Sequence, residues 1–216
     1  MNQKEWEKIE KEFLAQLNTY FSEITDSIIT LRNAPKGPFI RSQICLAFIA
    51  ADTFSRFHAI FNGEREGLDI NNEKRFKNWL NAFVFTKKNE VYRSKKNKIK
   101  CDTGMAWHLR NSFLHFYSFP NLKDESKIGF MFNFSNSERK KIHKKIEEGL
   151  KKDGYKITFI DIYFFIEAIL KGFLLQLQGI IEMIENSPNQ YIDTVSFAHN
   201  IIMKENATTI DLKNKI

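Results

Sequence analysis

The residues of this chain best suited to chemistry are Arg110, Asn111 and His115, in the stretch from Trp107 to Tyr117. A cation, a carboxamide and an imidazole sit within two helical turns, among Leu109, Phe113, Leu114 and Phe116. Burying an unpaired polar group costs roughly 2–7 kcal/mol, so these side chains are either satisfied structural groups or a working site. One chemistry open to such a set is cleavage of RNA without a metal. That reaction needs a base for the 2′-hydroxyl proton, a cation for the charge on the pentacovalent phosphate, and an acid for the leaving 5′-oxygen. Histidine titrates near neutral pH and serves as base or acid. Arginine stays charged and presents a planar fork to phosphate oxygens. Asn111 can hydrogen-bond His115, one turn on, or the phosphate itself.

At about 100° per residue of ideal helix, His108, Asn111 and His115 fall within a sector of about 60°. Arg110 lies about 140° from His115 on the same wheel, so the geometry suits a site completed by a second helix or a second subunit. Asp52 is the candidate to orient Arg110 or His115 from a neighbouring helix. Asp52 and Arg56 also stand one turn apart, where they can pair with each other.

The order Arg110-Asn111-Ser112-Phe113-Leu114-His115 resembles the signature of the HEPN superfamily (higher eukaryotes and prokaryotes nucleotide-binding). That signature is an Arg, often followed by a polar residue, with His after four to six intervening positions, late in a helix of an all-α domain. The strict match covers six residues, and the looser one, long amphipathic helices on either side, covers roughly positions 1–185. The resemblance implies a helical bundle, a metal-independent endoribonuclease that works as a homodimer on RNA, and membership of a toxin–antitoxin or phage-defence system with a protein partner. It implies no cofactor. In that scheme His115 is general acid/base, Arg110 clamps the phosphate, Asn111 orients, and Asp52 and His108 are accessory. HEPN-like proteins also include non-catalytic nucleotide-binding or interaction modules, and this alternative stays open.

The elements that must position these residues are legible as periodicities. Apolar residues from Trp6 to Leu31 recur every three or four positions and predict a long amphipathic helix, ended by Pro35 and Pro38. A second helix, apolar around most of its circumference, is expected from Phe39 to Phe61, and a third from Asn71 to Phe85. Residues 91–100 bring Arg93, Lys95, Lys96, Lys98 and Lys100 with no acid among them. This reads as a solvated basic loop leading into the motif helix, able to hold a phosphate backbone without reading sequence. Asp102-Thr103 can cap the motif helix, expected over residues 104–118 and stopped by Pro120.

After the motif helix, residues 121–159 read as an insertion with two short strands, at 127–134 and 155–159, around a basic helix. The apolar stretch from Ile160 to Ile184 has the length of a membrane span, but Asp161, Glu167, Lys171, Gln176 and Gln178 interrupt it, so a buried bundle helix is expected. A last helix follows over 191–203, then a polar tail over 205–216.

Composition agrees with a mainly α-helical single domain spanning residues 1–216. Nine Gly and four Pro are too few for a turn-rich all-β fold, and a 43% hydrophobic content supplies a substantial core. Thirty-three Lys and Arg against 26 Asp and Glu give +7, a basic excess compatible with a polyanionic partner. Cys45 and Cys101 form no disulfide framework, and the N-terminus lacks the apolar core of a signal peptide, so a cytoplasmic, reducing location without membrane attachment is expected. The five histidines, His58, His108, His115, His143 and His199, show no metal-ligand spacing, and no glycine-rich phosphate loop occurs.

Overall fold

A computed structural model describes residues 3–35, 39–64, 71–116, 126–131, 137–154 and 156–213. The chain is mainly α-helical: α1 (Gln3–Arg32), α2 (Ile40–Phe61), α3 (Asn72–Trp79), a π-helical turn (Leu80–Val84), α4 (Glu90–Ile99), α5 (Thr103–Phe116), β1 (Ser126–Met131), α6 (Ser137–Lys152), β2 (Lys156–Asp161), α7 (Ile162–Asn186) and α8 (Pro188–Lys213). The centre of the bundle is α2 against α7, with α1, α3 and α8 around them. Phe54 of α2 stacks on Phe173 of α7 at 4.5 Å between ring centroids, and Trp79 of α3 closes on Phe173 at 5.3 Å. All three side chains are buried, and burial of each such side chain contributes about 1.5–3 kcal/mol.

Both α2 and α7 are long and apolar enough to cross a membrane by length and composition, yet 61% and 50% of their most apolar windows are buried inside the bundle. Polar groups in this core are satisfied by one another. Trp79 Nε1 donates to Gln176 Oε1 at 2.6 Å, and Gln176 Nε2 donates to the Phe54 carbonyl at 2.9 Å. Gln176, which reads as an interruption of an apolar helix, thus ties α2, α3 and α7 together.

The third helix is not α-helical to its end. Beyond Trp79 the ladder widens, and Phe85 N–H donates to the Leu80 carbonyl at 2.7 Å, five residues back. Gly172 of α7 lies against this turn. A Cβ there would meet Val84 Cγ2 at 3.0 Å and the Phe83 carbonyl at 3.3 Å, so close approach of the two backbones requires glycine. Buried Asn89 then serves three groups at once. Its Nδ2 donates to the carbonyls of Phe83 (3.0 Å) and Ala168 (2.8 Å), and its Oδ1 accepts from Tyr92 N–H (3.1 Å).

That last bond caps α4, where a loop is expected from the run of positive charges. The residues around the charges explain the helix. Asn89 caps it, Glu90 opens it and Lys96 and Lys98 close it, matching the helix dipole, while Ile99 is buried. Glu90 also pairs with Lys171 of α7 at 2.8 Å, and Lys100 leaves the helix in the left-handed conformation.

The two strands pair in parallel, in register from Ser126–Lys156 to Met131–Asp161. A parallel pair needs a crossover element, and α6 is that element. The strand β2 extends through Asp161, beyond the expected end at 159, because Asp161 is extended and caps α7 by accepting from Phe164 N–H at 3.4 Å. Residues 132–136 and 155, part of the expected strands, and 117–118, at the expected end of the motif helix, lie outside the described residues. The expected polar tail continues α8 as helix to Lys213.

Candidate functional site

Helix α5 starts on a side-chain cap, Asp102 Oδ1 accepting from Met105 N–H at 2.8 Å. Its buried seam, Ala106, Leu109 and Phe113, follows the spacing that faces one side of a helix, and α5 packs with it on α2 and α3. Arg110 borders this seam and crosses to α2. Its Nε donates to Asp52 Oδ2 at 3.0 Å and its Nη2 donates to the same oxygen, while Nη1 donates to Asn111 Oδ1 at 2.9 Å. The Trp107 ring lies under the guanidinium, 5.0 Å from its carbon, and Trp107 is itself held by Phe76 of α3 at 5.8 Å. The Arg110–Asp52 pair is largely withdrawn from water, with side chains 14% and 18% exposed. A carboxylate, an amide and an indole fix the guanidinium, so Asp52 orients Arg110 across the helix interface.

His108 and His115, by contrast, are exposed. Asn111 is half-buried, and its carbonyl oxygen accepts from Arg110. The structure therefore brings Asp52, Arg110 and Asn111 together as one hydrogen-bonded unit and presents His115 at the outer surface of the same helix, about 7.5 Å further along its axis by the standard rise.

One participant has no counterpart in the motif. Arg75 of α3 is buried, 5% exposed, and its Nε donates to Ser55 Oγ at 3.3 Å. Ser55 Oγ in turn donates to the Asp52 carbonyl at 2.7 Å. Burial lowers the Arg75 pKa from its ordinary value, the charges of Arg56 and Arg110 lower it further, and Asp52 opposes them. In sequence Arg75 resembles a solvated charge among Glu73, Lys74 and Lys77. The signal that marks it is position, because it stands four residues before buried Trp79 and next to buried Phe76, on the inward stripe of α3.

The basic residues of α4 occupy a different part of the surface. Arg93, Lys96, Lys98 and Lys100 are exposed, and Lys95 is half-buried. The ammonium groups of Lys95 and Lys98 lie 5.2 and 4.9 Å from the Phe164 ring centroid. Helix α4 packs on α7 and β2, and it joins α5 at the N-terminal end of that helix. His115 is about 18 Å along α5 from Thr103, so these cations reach different phosphates of a strand from the one at His115.

His58 of α2 stands edge-on to Phe83 at 5.0 Å, with Asn62 Nδ2 3.1 Å from its Nε2. Desolvation lowers its pKa, opposed by Glu64. The folded protein therefore resists protonation here while the unfolded chain takes the proton. Stability from this residue is complete above about pH 6.5, the unfolded value, and is lost as pH falls below it towards the depressed folded pKa. Urea midpoints measured from about pH 7.5 to 5 should fall for wild type and fall less for His58→Gln.

Two clefts of about 580 and 620 Å3 open elsewhere. One lies between the π turn and the α7–α8 junction, at Phe83, Gln178 and Tyr191, and the other lies between α1 and that junction, at Trp6, Glu10 and Pro188. Neither includes Arg110 or His115. Comparison with protein-family models, curated proteins and solved structures gave no match.

Proposed function

We propose that this protein is a metal-independent endoribonuclease of the HEPN type, cytoplasmic and working as a homodimer on RNA. The observation that carries the reading is the fixed guanidinium of Arg110 on the same helix as an exposed imidazole, that of His115. Three of the five N–H donors of an arginine are engaged by Asp52 and Asn111, which leaves two for phosphate oxygens.

In this reaction His115 of one copy takes the proton from the 2′-hydroxyl. The 2′-oxygen forms its bond to phosphorus as the bond to the 5′-oxygen breaks, and the leaving oxygen takes a proton from the imidazolium of the second copy. A dimer supplies both roles from one residue type, since each chain carries a single His in the motif. Arg110 faces the charge that develops on the phosphate, and its fixed position avoids reorganisation during the step. The resemblance extends the proposal to a toxin or phage-defence component restrained by a partner protein.

A second reading, a non-catalytic HEPN-like nucleotide-binding or interaction module, is favoured by one observation: the Arg110 fork already holds Asp52 and Asn111. Cleavage of a mixed RNA in excess EDTA separates the two. Wild type is expected to cut and His115→Ala to be slower by about 10²-fold or more, the usual effect of losing a general acid–base group. No cutting of several RNAs by folded wild type would leave the binding module. Equal cutting by both proteins would remove His115 from the site.

A further inference from the structure

The surroundings of Arg75 carry an imbalance that the motif does not account for. Arg75 sits nine-tenths buried or more, yet among the described residues its guanidinium makes one hydrogen bond, through Nε to Ser55. Its two Nη groups, with four N–H donors between them, make none there. The charges of Arg56, Arg110 and Asp52 all bear on it, so one carboxylate faces three guanidinium groups. That carboxylate is already engaged through Oδ2 by Arg110, while its Oδ1 is buried without a hydrogen-bond partner. A buried cation with unused donors among like charges is costly. An anion seated between the guanidinium groups would remove both the repulsion and the unmet donors.

We infer that α2, α3 and α5 frame a phosphate-binding site in which Arg75 and Arg110 are the ligands, with Arg56 at its exposed rim. Arg75 supplies the net positive charge that the Arg110–Asp52 pair, neutral as a unit, does not. Ser55 holds the Arg75 side chain at Nε, which leaves its terminal nitrogens to take oxygens in the forked geometry arginine offers to phosphate. A water or a hydroxyl of the same ligand would donate to Asp52 Oδ1. Identifying the phosphate as that of an RNA strand rests on the ribonuclease reading above, whereas the anion site itself does not.

The test is titration with inorganic phosphate, and separately with a short RNA in EDTA, at constant ionic strength, read by calorimetry and by thermal unfolding. Wild type should bind phosphate and be stabilised by it. Arg75→Met, which keeps the length of the side chain and removes its charge, should weaken phosphate binding by about tenfold or more, the worth of a charged hydrogen bond. It should also raise the unfolding temperature in phosphate-free buffer, because it removes an uncompensated buried cation. Lys8→Gln, which removes an equal charge from the exposed face of α1, should change neither. If Arg75→Met does not fold, Arg75→Lys keeps a charge but loses the fork and should still weaken binding. Undiminished phosphate binding by a folded Arg75 variant, or no binding by folded wild type, would overturn the site. RNA tightening that matches the phosphate effect assigns the ligand to a strand; phosphate binding that depends on Arg75 without RNA cleavage keeps the anion site and discards the ribonuclease.

Discussion

Asp52→Ala is expected to destabilise the protein by about 3 kcal/mol, the lower end for breaking a buried ion pair, and to abolish whatever activity depends on Arg110. The side chains of the pair are 14% and 18% exposed, so water compensates little of the charge left behind. Arg110 would keep its bond to Asn111 and its contact with Trp107 but lose two hydrogen bonds to the carboxylate. Arg75 and Arg56 would also lose the one carboxylate whose charge offsets theirs. The loss should therefore exceed that of Arg110→Met, which removes a cation from a positively charged cluster. The double variant Asp52→Ala/Arg110→Met should recover much of the stability, and a double-mutant cycle in urea measures the coupling. Additive single effects would show that the pair is not coupled and that Asp52 does not hold Arg110.

Asn89→Ala should cost about as much, for a different reason. The substitution removes three hydrogen bonds inside the fold and leaves the Phe83 and Ala168 carbonyls and the Tyr92 amide without their partner. Each buried orphan costs about 1–3 kcal/mol, and water entering the vacated space offsets part of it, so a total of about 3 kcal/mol is expected from the same unpaired-group penalty. The loss should be local in form. Amide exchange should quicken first in α4, which loses its cap, and in the π turn, while Trp79 and its bond to Gln176 stay protected. Uniform loss of protection across α2 and α7 would mean that Asn89 supports the whole bundle and not this corner.

The sequence by itself determined the helices whose apolar periodicity is long and regular. The stripes of α1, α2 and α7 need no knowledge of a partner, because burying one face is a requirement of the segment alone. The Asp102 cap of α5 was legible for the same reason, since the cap and the amide it serves are three residues apart. So was the concentration of Arg110, Asn111 and His115 on one helix. Charge misled at residues 91–100, where the cap at Asn89 and the buried Ile99 outweigh the positive run.

The tertiary structure alone decided which of those groups meet. Arg110 and Asp52 are 58 residues apart, and their pairing depends on how α5 crosses α2. The π turn depends on Gly172, in a helix that follows much later in the chain, coming close enough to change the hydrogen-bond step. Arg75 shows the limit most clearly. As one charged residue among several on a short helix it carries no local mark of function, and its burial beside Ser55, Arg56 and Asp52 arises when α3 packs on α2 and α5. Local periodicity sets which face of a helix turns inward, but the charges that end up sharing an interior are set by contacts between segments distant in sequence, which no single segment encodes.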